Sequence, residues 1–483
     1  MGVVMAEAVL MTLVELAEAV DGLVRTGKVA HGNLKDACFS SVRIDSRAVR
    51  SGSLFVALAG EKQDGHDFVP SAFKAGASIA LVSASRMERD GASLIAAAEK
   101  ASGSLVVVDN TLHALQSAAQ SYVLRFPCLK RVGITGSSGK TTTKELAAAM
   151  IGMERRVVMN EGNLNSETGL PLSVFTIDEA DEVGIFELGM NRQGEISELA
   201  SVLFPHFALV TNVGTAHIGI LGNRDAIAKE KKEIFSRFDG TQVALIPEED
   251  PYTAYLASGV RGKVTFWGPK SLKAFGGARS LGLDGTELVW DGVPVRLALP
   301  GTHNLHDTLA AAAIAEAVGV SAKAIRAGII AAKPLFGRGE ILQGRPTVVR
   351  DCYNANPESM EAAISFCDTL EWPGRRVYVI GAMRELGSSA EKAHERLGEF
   401  LAASKADEIF LFGEETRASV YSLKGKKAFF QTEDLDGLSA RLAGTLRPDD
   451  LVLLKGSRAL ALERLVEHLP VFPAGDTPAG KGD

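Results

Sequence analysis

Cysteine is scarce in this chain: four residues, Cys38, Cys128, Cys352 and Cys367, are spread over 483 positions with no CxxC pair. That spacing argues against a zinc knuckle and a disulfide framework, and fits a reducing cytoplasm. Long basic runs are also missing. With a formal net charge of -7 the chain offers no obvious surface for nucleic acid or an anionic membrane, so local lysines and arginines must serve any anionic ligand. No uninterrupted apolar run reaches the roughly 20 residues needed to cross a bilayer. The apolar N-terminus is interrupted by Glu7, Glu15 and Glu18 and has no positive segment before it, so MTLVELAEAV reads as an amphipathic helix rather than a signal peptide.

What is present is ordinary for a globular protein: 46% hydrophobic and 23% charged residues. At this length one core is not enough, and roughly three domains are expected. We expect an α/β protein with a small N-terminal α/β unit over 1–109, a central unit with a mostly parallel sheet over 110–335, and a third open α/β unit over 336–483. Its last stretch, 472–483, is rich in Pro and Gly and reads as a disordered tail.

The strongest local signal is KRVGITGSSGKTTTKE, at 130–145: a short apolar strand, a loop of small residues, and a helix opening at Lys140-Thr141. Gly136, Ser137, Ser138 and Gly139 let backbone N–H groups point inward, and the helix N-terminus adds its own, which makes an anion site. Lys140 would neutralise the outer phosphates of ATP, the Thr141 hydroxyl would hold magnesium, and Thr142 is a further nucleotide-binding candidate. The usual P-loop pattern places glycine at position 134; here Ile134 stands there and Gly133 precedes it, so the motif is a variant.

Around this signal, apolar runs alternate with helical stretches. In the first unit the runs at 53–58, 78–82 and 104–108 read as strands. Two polar clusters interrupt it, Asp45-Ser46-Arg47 and KQDGHDF at 62–68. The first could present donors to a pyrimidine or diphosphate, but a capped surface turn is the plainer reading. In the central unit the amide-rich loop NEGNLNSETGLPLS is followed by EVGIFELG, a buried-strand run that ends in Glu187 beside the P-loop. Ligands gather at strand carboxyl ends, and magnesium prefers carboxylate oxygen, so Glu187 is a metal candidate. His217 lies in the loop GTAHIG. The segment 225–238 reads as an amphipathic helix in which periodicity singles out no lysine, and a β-rich insert is expected over 265–299. In the third unit, strands are expected at 347–350, 376–380, 408–412 and 450–454. Asp351 follows the first, Glu385 lies in the loop after the second, and Lys455, Ser457 and Arg458 follow the last.

Taken together and in order, ITGSSGKTTTKE, GNLNSETGLPLS, FELGMNRQGEI, TNVGTAHIG, AKEKKEIF, GTHNLHD, GRGE, DCYNANPESM, GAMRELG and LKGSR closely resemble the Mur ligases, over nearly the whole chain. Within that family, DCYNANPESM and GAMRELG look like the member that joins D-alanyl-D-alanine to UDP-N-acetylmuramoyl-tripeptide in peptidoglycan precursor synthesis. The resemblance implies three domains, a UDP-substrate-binding one over 1–109, a central ATP-binding one over 110–335 and a Rossmann-like one over 336–483 that binds the incoming dipeptide, in a ligase that acts through an acyl phosphate with ATP and two magnesium ions; a cytoplasmic monomer is expected. It implies that the P-loop holds the β- and γ-phosphates, that Thr141 and Glu187 hold one magnesium, and that His217 helps hold the second. By its place before Glu233-Ile234-Phe235, Lys231 matches the family's carbamylated lysine. Asn304 and Asp351 match positions that meet adenine and ribose, and Arg338 matches an arginine that swings to the phosphates. Asp45, Ser46 and Arg47 match the nucleotide-sugar end, and Asn163 and Asn165 the loop facing the reacting carboxylate. Glu385, Lys455, Ser457 and Arg458 fall on the dipeptide side, where Ala382 and Arg384 depart from the pattern, an acid being expected after the glycine. The alternatives are the family member that adds the third residue, whose DNPR-type signature is absent, folylpolyglutamate synthetase, which shares the ATPase core, and a P-loop ATPase that is not a ligase, for which no NKxD motif is found.

Overall fold

The computed structural model describes residues 8–26, 37–60 and 62–470; the C-terminal tail expectation therefore lies outside the described residues. Three open sheets follow one another along the chain. The first has five strands in the order Leu23–Thr26, Ser104–Val108, Ala77–Ser83, Ser53–Val56, Ser41–Arg43; the Leu23–Thr26 edge runs antiparallel and the rest are parallel. Instead of one N-terminal helix, Met11–Thr12 pairs with Cys38–Phe39 and a short helix, Leu13–Ala19, follows. Thr12 and Glu15 close that helix with a capping box, which fixes its start inside the apolar run.

The central sheet has six parallel strands in the order Lys263–Trp267, Val243–Pro247, Phe207–Val210, Lys130–Thr135, Val183–Glu187, Val157–Met159. Lys130–Thr135 comes first in the chain yet lies inside the sheet, with later strands on both sides. The strand order therefore reverses beside it, and in open α/β sheets the crevice at such a point, outside the strand carboxyl ends, takes the ligand. Val132, Ile134, Ile185 and Leu209 are buried, as parallel strands covered on both faces require. One face packs against the P-loop helix Lys140–Ile151 and the Ala-rich helix Thr302–Val318. The other shares a continuous core with the first sheet through helix Thr111–Val123. The expected β-rich insert is smaller than its run suggested. Lys263–Trp267 is the edge of the parallel sheet, and only Phe275–Ser280, Thr286–Trp290 and Val293–Leu297 form a separate antiparallel sheet.

The third sheet runs Glu340–Leu342, Thr347–Asp351, Leu451–Lys455, Arg376–Gly381, Glu408–Phe412, Ala428–Thr432, with an antiparallel first edge and parallel strands elsewhere. Leu451–Lys455 again lies between two strands from earlier in the chain, so the carboxyl ends carrying Asp351 and Lys455 sit side by side. Among the described residues no helix is long and apolar enough to cross a membrane.

Candidate active site between the P-loop and the third sheet

The P-loop turns sharply where the sequence is glycine. Gly136 (φ 153°) lies so close to Thr211 that an added Cβ would fall 1.7 Å from its hydroxyl oxygen, and Gly139 (φ 79°) would bring a Cβ to 2.1 Å from Asp307 Oδ1. The displaced glycine, Gly133, is an ordinary strand residue, so the variant motif keeps the two glycines the turn needs. Gly139 caps the following helix without any side-chain hydrogen bond, which leaves the helix N-terminus open to an anion. Asn212 steadies the loop from the neighbouring strand end: its Oδ1 accepts the Ser137 and Ser138 N–H groups at 3.2 and 3.1 Å.

Lys140 lies along the loop and donates to Gly136 O at 2.9 Å. Burial lowers its pKa, while nearby Glu187 raises it. Beside it the Thr141 hydroxyl donates to Glu187 Oε2 at 2.7 Å and accepts from Arg338 Nη2 at 3.0 Å. Asn165 Nδ2 reaches the other Glu187 oxygen at 2.7 Å. Glu187 is only 3% exposed, so it is no solvent-facing strand end. Thr141 and Glu187 form a hard-oxygen pair that fits magnesium. Among the described residues no group of three or more His, Cys, Asp or Glu could hold a metal alone, so phosphate oxygens and water would have to complete the shell.

These groups line a cavity of about 760 Å³. Its far wall is the carboxyl edge of the third sheet, with Asp351, Lys455, Ser457, Arg458 and Glu385; Ser138, Thr142, Asn163, Asn165, His217 and Asn304 line it too. Lys455 pairs with Asp351 at 2.9 Å, and Arg458 with Glu463. His217 Nδ1 lies 3.2 Å from Glu385 Oε2, off the line of a good hydrogen bond. The imidazole lowers the Glu385 pKa against the effect of burial. Ala382 is fully buried and hydrogen-bonded to Phe412 and Ser457 through its backbone; the charge at this corner comes from Arg384, paired with Glu415.

Asp45, Ser46, Arg47 and Lys231 are not among the residues that line the cavity, nor is Gly136, whose carbonyl accepts from Lys140. Asp45 caps a short turn by accepting the Arg47 N–H at 2.9 Å, and its carboxylate also holds the exposed Arg47 guanidinium at 2.6 Å, with Ser46 between them. This is the capped turn that the sequence suggested. Asp45 borders a separate cleft of about 570 Å³ between the first and central sheets.

The lysine helix also departs from expectation: it is Arg224–Lys232 followed by a single turn, Glu233–Phe235, and its lysines differ in fate. Lys229 is exposed and Lys232 bonds Tyr255 O, whereas Lys231 is 1% exposed. Burial, reinforced by Lys140, pushes its ammonium well below the usual lysine range. Sequence reasoning assigned no role to Asp307, His303 or Tyr353, which also line the cavity. The spacing of 303, 304 and 307 on one helix face was the available signal for the first two. Tyr353 lies under the Arg338 guanidinium, 4.1 Å from its ring centre.

Comparison with known proteins agrees with this architecture. The family description "Mur ligase middle domain" matches residues 134–315, "Mur ligase, glutamate ligase domain" residues 337–458, and "Mur ligase family, catalytic domain" residues 39–123. A UDP-N-acetylmuramoyl-tripeptide--D-alanyl-D-alanine ligase of Treponema pallidum is 44% identical over 430 residues, covering 88% of this chain and 93% of the relative. The chain belongs to the Mur ligase family. Among solved Mur ligases, a MurF crystal structure from Acinetobacter baumannii superposes with TM-score 0.84 at 31% identity, covering 95% of this chain and 98% of that one. MurF from Thermotoga maritima, solved in complex with ADP, gives TM-score 0.74 at 27% identity, covering 89% and 96%.

Proposed function

We propose that this Mur ligase joins D-alanyl-D-alanine to UDP-N-acetylmuramoyl-tripeptide, converting ATP to ADP and phosphate. The observation that carries the reading is the single cavity that sets Lys140, Thr141 and Glu187 opposite the carboxyl edge holding Asp351, Glu385 and Lys455. A full-length relative with this activity at 44% identity supports the same substrates.

Carboxylate and amine do not condense unaided. The tripeptide carboxylate attacks the γ-phosphorus of ATP, the bond to ADP breaks, and an acyl phosphate forms. The dipeptide amine then attacks the acyl carbon, phosphate leaves, and the amine loses a proton. Lys140 and the P-loop amides bear the outer phosphates, while Asn163 and Asn165 orient the reacting carboxylate. Asn304 and Asp351 serve adenine and ribose, Arg338 the phosphates, and Glu385, Lys455, Ser457 and Arg458 the dipeptide. Thr141, Glu187, His217 and a modified Lys231 would hold magnesium, which when bound neutralises charge on the transferring phosphoryl group. A lowered lysine pKa favours the neutral amine, the form that adds CO2 to give a carbamate and a proton; that supports carbamylation of Lys231. The nucleotide-sugar end falls to Asp45, Ser46 and Arg47, and the cleft beside Asp45 supports that placement.

No observation favours the third-residue ligase or a non-ligase ATPase. Phosphate release with ATP and magnesium should require both the tripeptide nucleotide and the dipeptide. Release at full rate with neither present would contradict the reading.

A further inference from the structure

A fully buried charge lies just behind the cavity. Lys144, one helical turn beyond Lys140, has a side chain with 0% exposure, and its ammonium donates to Asn160 O and lies 3.3 Å from Glu145. Asn160 is itself buried and follows the edge strand Val157–Met159. Its Oδ1 accepts the Glu187 N–H at 2.9 Å, while its Nδ2 donates to Glu187 O at 3.1 Å and to Leu164 O at 2.9 Å. One carboxamide thus grips both backbone groups of Glu187 and ties down the loop that bears Asn163 and Asn165.

An aliphatic side chain would fill the place of Lys144 without the desolvation cost of a buried ammonium, so packing alone does not account for it. What the ammonium adds is a fixed position for the Asn160 carbonyl relative to the P-loop helix. The chain of bonds closes on itself: Lys144 to Asn160, Asn160 to Glu187, and Glu187 to Thr141 three residues before Lys144.

We propose that Lys144 and Asn160 are positioning residues that lock Glu187 and the 160–165 loop to the P-loop helix as one unit. The inference rests on the ligase reading for its kinetic consequence, not for its structural one. The test uses the full chain with Lys144→Met and, separately, Asn160→Ala, by hydrogen exchange without ligands and by steady-state kinetics. Exchange at the Glu187 N–H and in the 160–165 loop should rise about tenfold or more, with the third sheet unchanged, and kcat should fall about 10- to 100-fold, as when supports of reactive groups are lost. The dipeptide KM should shift less than about twofold, because the third sheet is untouched. Wild-type exchange at Glu187 in both variants would overturn the proposal, and so would equal loss of protection in all three sheets, which marks a purely structural role. If Lys144→Met does not fold, Asn160→Ala decides alone. Failure of the ligase reading would show instead as an inactive wild type and would leave the exchange result standing.

Discussion

Thr141 and Glu187 meet across 2.7 Å, the hydroxyl from the first turn of the P-loop helix and the carboxylate from the end of the adjacent strand. Glu187→Gln keeps the shape and an oxygen able to accept the Thr141 hydroxyl, but removes the charge a divalent cation needs. Phosphate release should fall about 100-fold or more, with Tm nearly unchanged. An active Gln variant at ordinary magnesium concentration would contradict the metal assignment.

Lys231 gives a second prediction. Lys231→Ala should abolish turnover, with partial rescue by a short carboxylic acid that restores the missing carboxylate. Native mass spectrometry of the wild type should show one added CO2, lost on acid treatment. Full activity of the Ala variant would remove the residue from the mechanism.

Asp307 lies behind Gly139, and burial raises its carboxyl to about 8, with Arg338 opposing. The folded chain therefore binds more protons here than the unfolded chain between about pH 4 and pH 8, so this carboxyl makes stability fall as pH rises through that window. Asp307→Asn removes the dependence. Relative to the wild type the variant should gain ~1–3 kcal/mol at pH 8 and almost nothing near pH 4, read from denaturant unfolding of ligand-free protein at each pH. A gain independent of pH would contradict the buried neutral carboxyl.

Glu358 clasps the central unit from the third. Its carboxylate accepts the Thr215 N–H and the Thr215 hydroxyl, both at 2.9 Å, two residues before His217. Closure keeps water from an acyl phosphate. Glu358→Ala should lower kcat about tenfold and raise the ratio of phosphate released to product formed. An unchanged ratio would show that this contact does not guard the intermediate.

Much of the architecture was legible because buried parallel strands are continuous apolar runs; Glu408–Phe412 is found where its run predicts. Val157–Met159 and Glu340–Leu342 were not, since three residues carry no period. The P-loop was legible because its chemistry is local. The burial of Lys231 was not, because Lys229 and Lys232 share its helix and only tertiary packing separates them. Asn160 and Lys144 lie inside motifs that the sequence displays, but their bonds join segments 16 to 27 residues apart.

The most direct test of the central claim is the mass of the product formed from UDP-N-acetylmuramoyl-tripeptide, D-alanyl-D-alanine, ATP and magnesium, with a panel of tripeptides that differ at the third residue. The account predicts a UDP-muramoyl-pentapeptide with one phosphate released per amide bond. Absence of the pentapeptide with every tripeptide in the panel would contradict it.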